Sequence, residues 1–275
     1  MDFIKVNNCN EEWYESENLW TPFPGSAVFG GQIVAQALNS ALRTLNKDFR
    51  PHSLHIYFHK PGINSKVIKY EIEDLRSGKT LVSKRITGKQ ENDTIVTMEA
   101  SFSKEEISKY EFQSEKFEIY EDRFTELTAY FESVLPKANH SLLLHLSEFK
   151  KNFDIFIGEP KNNKRQIKIK IKENFEEYSD ISCIMAFVSD FMLIEPALIP
   201  LNKNILSPDI AMCASIDHTL YFHSFEKGYS GEFIYLVECL KFHNSKALCI
   251  GHLLNSENVL MATAIQEGII RFKEK

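Results

Sequence analysis

The sequence carries no excess of positive charge. Its 32 lysines and arginines stand against 38 aspartates and glutamates, a formal net charge of -6 over 275 residues, and no long basic tract interrupts it, so nothing points to nucleic-acid binding. Cysteine is scarce and unpatterned: Cys9, Cys183, Cys213, Cys239 and Cys249 include no CxxC spacing. That leaves no zinc framework and predicts reduced thiols in a cytoplasmic compartment. A long hydrophobic run is also missing. The most apolar stretch, Ile181–Ile194, is too short to span a bilayer and holds Asp190 within it, so no membrane insertion is expected. Met1–Trp20 is polar and acidic rather than leader-like, and Arg271–Lys275 is not a Ser-Lys-Leu address. His52, His55 and His59 lack metal-ligand spacing and cysteine partners, and neither a metal nor a cofactor is implied.

What is present is ordinary globular material, 43% hydrophobic and 25% charged, enough for one large or two small domains. After a polar opening, Asn7–Leu19, and a loop marked by Pro22, Pro24 and Gly25, the stretch VFGGQIVAQALNSALRTL repeats Ile33, Val34, Ala37, Leu38, Ala41, Leu42 and Leu45 at helical spacing. It predicts an amphipathic helix of about four turns beginning at Gly30-Gly31. Two glycines there admit either an oxygen or anion close to the helix N–H donors, or tight packing against other structure. Strands are predicted at Ser53–His59, Lys66–Leu75, Thr80–Gly88 and Thr94–Phe102, separated by turn residues at Lys60-Pro61-Gly62, Ser77-Gly78 and Glu91-Asn92-Asp93.

The pattern then returns. Tyr57, Phe58 and His59 match Tyr221, Phe222 and His223; Tyr70–Leu75 matches Tyr235–Leu240; Ile95–Ser101 matches Leu260–Gln266. Such a repeat implies two copies of one unit related by a pseudo-two-fold. The resulting organisation is a first copy over residues 1–110, a crossover over 111–150 with a helix at Glu121–Leu135 ended by Pro136, and a second copy over 151–275. Strands FDIFIG and QIKIKIK open the second copy, and Lys161–Lys172 reads as a strand with one solvated face.

Within that copy Ile181–Ile194 is apolar nearly all round and predicts a buried helix. Asp190 is its exception. A carboxylate there must be hydrogen-bonded or paired, or else cap a loop at the helix edge.

The pieces VFGGQIVAQAL, HSLHIYFHKPG, YEIEDLRSGKTLVSKRI, MEASF, VSDF, ASIDHTLYFH and AIQEGIIR, in this order, resemble the acyl-CoA thioesterase II family of the TesB type. The resemblance implies an α+β double hotdog, in which each of two long helices is wrapped by an antiparallel sheet. It implies hydrolysis of fatty acyl-CoA to fatty acid and CoA by a water held by Asp190, Ser215 and Gln266, with no covalent nucleophile. Gly30, Gly31 and His59 are the expected substrate-binding or oxyanion positions. The expected partners are an acyl-CoA substrate and further copies of the chain, as a homodimer or homotetramer. Alternatives of other kinds are a non-catalytic acyl-CoA binding module and a hotdog hydratase or dehydratase; the absence of histidine from Ile181–Ile194 disfavours the latter.

The repeat sets Ser101 opposite Gln266 and Asn39 opposite Asp190, so one catalytic site per chain is expected. Asp217-His218 is a poor dyad, because neighbours on a strand face opposite ways; His218 is read as chiefly structural. Cys213 reads as a small hydrophobe rather than a nucleophile.

Overall fold

A computed structural model describes residues 2–274 apart from 10–12, 24–26, 115, 121–122, 135–145, 148, 173–177 and 226–230. The first copy opens with a 3-10 turn at Asp2–Ile4, β1 (Val6–Asn8) and β2 (Trp13–Ser16), followed by α1 (Gly30–Leu42), β3 (Phe49–Phe58), β4 (Lys69–Ser77), β5 (Leu81–Gln90) and β6 (Asp93–Lys104). Then come β7 (Phe124–Glu126), α2 (Leu127–Val134), β8 (Phe153–Gly158), β9 (Lys164–Ile171) and α3 (Tyr178–Val188). A 3-10 helix at Glu195–Leu201 leads to β10 (Ile210–Ser215), β11 (Asp217–Phe222), β12 (Glu232–His243), β13 (Lys246–Leu254) and β14 (Leu260–Phe272).

The strands form one antiparallel sheet in the order β1-β2-β4-β5-β6-β3-β11-β14-β13-β12-β9-β8-β7, with β10 also on β14. The seam is the β3–β11 pair, and its register fixes the pseudo-symmetry: His55 lies opposite Thr219, with Ser53 opposite Tyr221 and Tyr57 opposite Asp217 on either side. Both helices lie on the inner face. Phe187 of α3 sits in a cluster of rings, with centroids 5.4 Å from Phe3, 5.6 Å from Phe149 and 5.1 Å from Phe29. This is the predicted double hotdog.

Four features add to or depart from what the sequence indicated. The polar opening is structured: β1 and β2 take the places in the first copy that β8 and β9 take in the second. Buried Gln32 of α1 ties this stretch down, accepting from the Trp20 N–H at 2.7 Å and donating to the Phe3 and Asn18 carbonyls. The crossover is not bare, because β7 pairs with β8. Its helix is shorter than Glu121–Leu135, with Phe124 in the strand and Leu127 and Phe131 buried; Leu135 and Pro136 lie outside the described residues, as do Pro24 and Gly25. The third difference is that α3 stops at Val188. Ser189–Ile194 is a turn with Met192 in the left-handed region at φ 56°, a conformation no α-helix contains, and Glu195–Leu201 follows as the 3-10 helix, with Pro196 in its first turn, where a missing N–H costs least.

The fourth is a slip of one residue in the repeat. Tyr57 pairs with Thr97 and Tyr221 with Thr263, and His59 and His223 bond Thr97 and Thr263 in the same way, at 2.8 and 2.9 Å. The counterpart of Gln266 is therefore Ala100, buried on the inner face like Gln266 itself. Ser101 belongs to the other face of its strand, since facing alternates residue by residue.

Candidate active site

Asp190 lies in the turn just after α3, where the N-terminus of α1 meets it. Its Oδ2 accepts the Gly31 N–H at 2.8 Å and its Oδ1 accepts the Ser215 hydroxyl at 3.4 Å. The glycines make this approach possible: a Cβ on Gly30 would stand 2.7 Å from Asp190 Oδ2, and one on Gly31 would overlap the Phe187 carbonyl oxygen. Both sequence-level readings of Gly30-Gly31 hold together here, close packing and an anion at a helix N-terminus, and the anion is the chain's own carboxylate. The Gly31 N–H, one of the expected oxyanion donors, is given to Asp190.

Ser215 ends β10 and Gln266 lies in β14. The Gln266 amide donates to Ser215 Oγ at 2.9 Å. Behind it, the Gln266 carbonyl meets His218 Nδ1, and His218 Nε2 lies 2.9 Å from the Ser189 hydroxyl. Ser215 and His218 are three residues apart, an odd spacing that should put them on opposite faces. A bulge between them reconciles this, since Ser215 pairs with Gly268 but Thr219 with Ile265, one residue more on this strand than on its partner. Asp217 points the other way, its Oδ1 accepting the Glu267 N–H at 3.0 Å, so the adjacent Asp and His are no dyad.

Enclosure pushes the Asp190 carboxyl pKa up to about 6, outweighing the hydrogen bonds from Gln266, Gly31 and Ser215 that pull it down. Burial takes His218 down to about 4, leaving it neutral. Desolvation of the thiol at the cavity wall, then the Asp190 charge, push Cys213 up to about 11 although the residue is exposed, and buried Tyr235 goes well above its usual value. Around neutral pH, Asp190 is the titrating group of this cluster.

The carboxylate opens into a cavity of about 430 Å³. Phe58, His59, Lys60, Cys213 and Ser215 line it together with the apolar side chains of Trp20, Phe29, Phe131, Leu146 and Phe191. Glu195 also lines it. Sequence reading missed this residue: buried Glu195 takes the Tyr130 hydroxyl at 2.7 Å and pairs with Arg165 at 2.8 Å, fastening α2 and β9 to the site. Ser189 was missed as well. Its place directly before Asp190 in VSDF was the available signal.

The two halves match two family models, that of the acyl-CoA thioesterase N-terminal domain over residues 19–103 and that of acyl-CoA thioesterase over 143–269. Acyl-CoA thioesterase 2 of Haemophilus influenzae is 31% identical, over 90% of this chain and 88% of its own length. This chain belongs to the TesB-type acyl-CoA thioesterase family. Mouse acyl-coenzyme A thioesterase 8 is 26% identical over 98% of this chain and 88% of its own. For the fold, the acyl-CoA thioesterase II TesB2 of Mycobacterium marinum superposes with a TM-score of 0.77, at 20% identity, over 99% of this chain and 97% of the other. As a TesB-type thioesterase the chain is a thioester hydrolase, and the apolar cavity ending on a carboxylate of raised pKa is a site suited to that reaction.

Proposed function

We propose that this thioesterase hydrolyses fatty acyl-CoA through one water held between Asp190, Ser215 and Gln266. The observation that carries the reading is Asp190, an enclosed carboxylate with a pKa of about 6 whose neighbours are donors rather than cations. Such a group is ionised at pH 7 yet basic enough to take a proton from water as the water attacks the thioester carbon. Ser215 and Gln266 orient the water by hydrogen bonding without adding charge. The oxyanion that develops lies at the N-terminus of α1, where Gly30 lines the cavity; the Gly31 N–H is held by Asp190 and those of Gln32 and Ile33 by the Phe29 carbonyl, so the Gly30 N–H is the donor this reading assigns to it. The thiol product leaves as a thiolate of moderate basicity. On this reading the polar His59 and Lys60, which line the cavity, meet the CoA end, and the aromatic lining residues take the acyl chain. The reading includes a cytoplasmic setting, and a dimer or tetramer that light scattering would show.

The test is release of free thiol from a medium-chain acyl-CoA, followed with a thiol reagent. Asp190→Asn is expected to lower kcat by roughly 10²–10⁴-fold while circular dichroism shows it folded; near-normal turnover would remove the general base. Cys213→Ala keeps its activity, and its failure while folded would point to a covalent route instead.

A further inference from the structure

We propose that His218 is a positioning residue: with Ser189 behind it, it fixes which way the Gln266 amide faces, and through Gln266 it keeps the Ser215 hydroxyl on Asp190. The inference rests on the water-holding reading of Asp190, Ser215 and Gln266.

An amide side chain can turn end for end, and only one of its two orientations offers N–H to Ser215. With that orientation the Gln266 carbonyl faces His218 Nδ1, which must then carry the ring proton. His218 Nε2 is in turn an acceptor and takes the Ser189 hydroxyl, 2.9 Å away. Donors then run in one direction, from Ser189 to His218, to Gln266, to Ser215, to Asp190. In the reversed chain Ser189 donates to the Ala186 carbonyl, also at 2.9 Å, and Ser215 turns its hydrogen to a Gln266 oxygen, away from the carboxylate. An ionised Asp190 selects the forward chain, because a buried charge without its donor is the costlier outcome. Ser189, His218 and Gln266 are at most 1% exposed, so water does not compete for these bonds. The depressed pKa of His218 keeps its Nε2 free to accept.

The first copy supplies a control inside the same molecule. Across the pseudo-two-fold, Leu54 stands where His218 does and Ala100 where Gln266 does, and these two are direct cross-strand partners. Pro51 stands in the place of Ser215. The polar pair is replaced as a pair, and the fold accepts leucine at this position. The sheet itself has no need of the histidine.

The experiment compares pH profiles of kcat and KM for the wild type, His218→Leu, His218→Asn and Ser189→Ala, with Asp190→Asn and Gln266→Ala as references. His218→Leu is expected to lose about 10–10²-fold in kcat with KM nearly unchanged, and its acidic limb moves upward as Asp190 loses its Ser215 donor. His218→Asn places an amide N–H near the Nδ1 position and recovers at least about tenfold of that loss. Ser189→Ala removes only the hydroxyl and is expected to cost about 3–10-fold with the same upward limb shift; it carries the test if His218→Leu does not fold. A folded His218→Leu, or failing that Ser189→Ala, with wild-type kcat and an unmoved limb overturns the proposal. So does a His218→Asn as slow as His218→Leu. If Asp190→Asn or Gln266→Ala turns over normally, the water-holding reading fails first and this inference with it, whereas slow references beside a normal His218→Leu defeat the inference alone.

Discussion

Asp190 accepts from three donors and still holds its proton more tightly than a free carboxylate, because loss of water outweighs the bonds. Two expectations follow from that balance. Activity falls as pH drops through about 6, with kcat losing about tenfold for each unit below the limb. Stability runs the opposite way: the folded pKa, about 6, lies above the ordinary 3.8, so the contribution of the bound proton is complete below pH 4 and is lost as pH rises through 6. At pH 7 the ionised group costs ~2–3 kcal/mol, and Asp190→Asn is expected to raise Tm while it lowers kcat, which calorimetry alongside the thiol assay checks. Gln266→Ala is expected to cost roughly 10–10³-fold in kcat, whereas Ser101→Ala costs little, because Ser101 faces away from the helices and its hydroxyl donates to the Val82 carbonyl at a long 3.5 Å; equal losses in steady-state rates would overturn the register. Asp190, Ser215 and Gln266 do converge, but an overlay of repeats one residue out moves every side chain to the wrong face, and the bulge that turns Ser215 towards His218 has no mark in the alternation.

The contact between α1 and α3 depends on a missing side chain. Gly31→Ala would press a methyl group into the Phe187 carbonyl, a backbone atom that no side-chain rotation can move aside; alanine favours the helix by about 1 kcal/mol, yet overpacking of this kind costs about 1–3 kcal/mol or more. We expect a net fall in stability by chemical denaturation, and a fall in kcat larger than any change in KM, since the Gly31 N–H also holds Asp190. The long elements were legible because their apolar spacing is long, as in α1 and in β9, where Ile167, Ile169 and Ile171 are buried. The end of α3 was not, because Phe191, Leu193 and Ile194 continue the apolar run beyond the turn and are buried there too. β1 and β2 are three and four residues long, too short for any period to declare itself.

The two copies share one sheet across β3 and β11 and one site across α1 and α3. Residues 151–275 expressed alone would expose the β11 edge and lose the Gly31 donor, so they are expected to aggregate, as size-exclusion chromatography would show, and to release no thiol; a soluble, active fragment would mean that the first copy is dispensable. The duplication was legible in the recurring Tyr-Phe-His triplet. The edges that meet were not, because side-chain periodicity describes faces and says nothing about which strand lies beside which. The seam also bears on how the two pockets could come to differ. In an assembly of two identical subunits every substitution is made twice, and a mutation that put alanine at the place of Gln266 would disarm both centres at once. Joined end to end, one half is free to drift while its twin is kept: Pro51, Leu54 and Ala100 stand where the other half has Ser215, His218 and Gln266, changes that, on the proposed reading of this site, a gene encoding only a single half would not have survived as a working hydrolase.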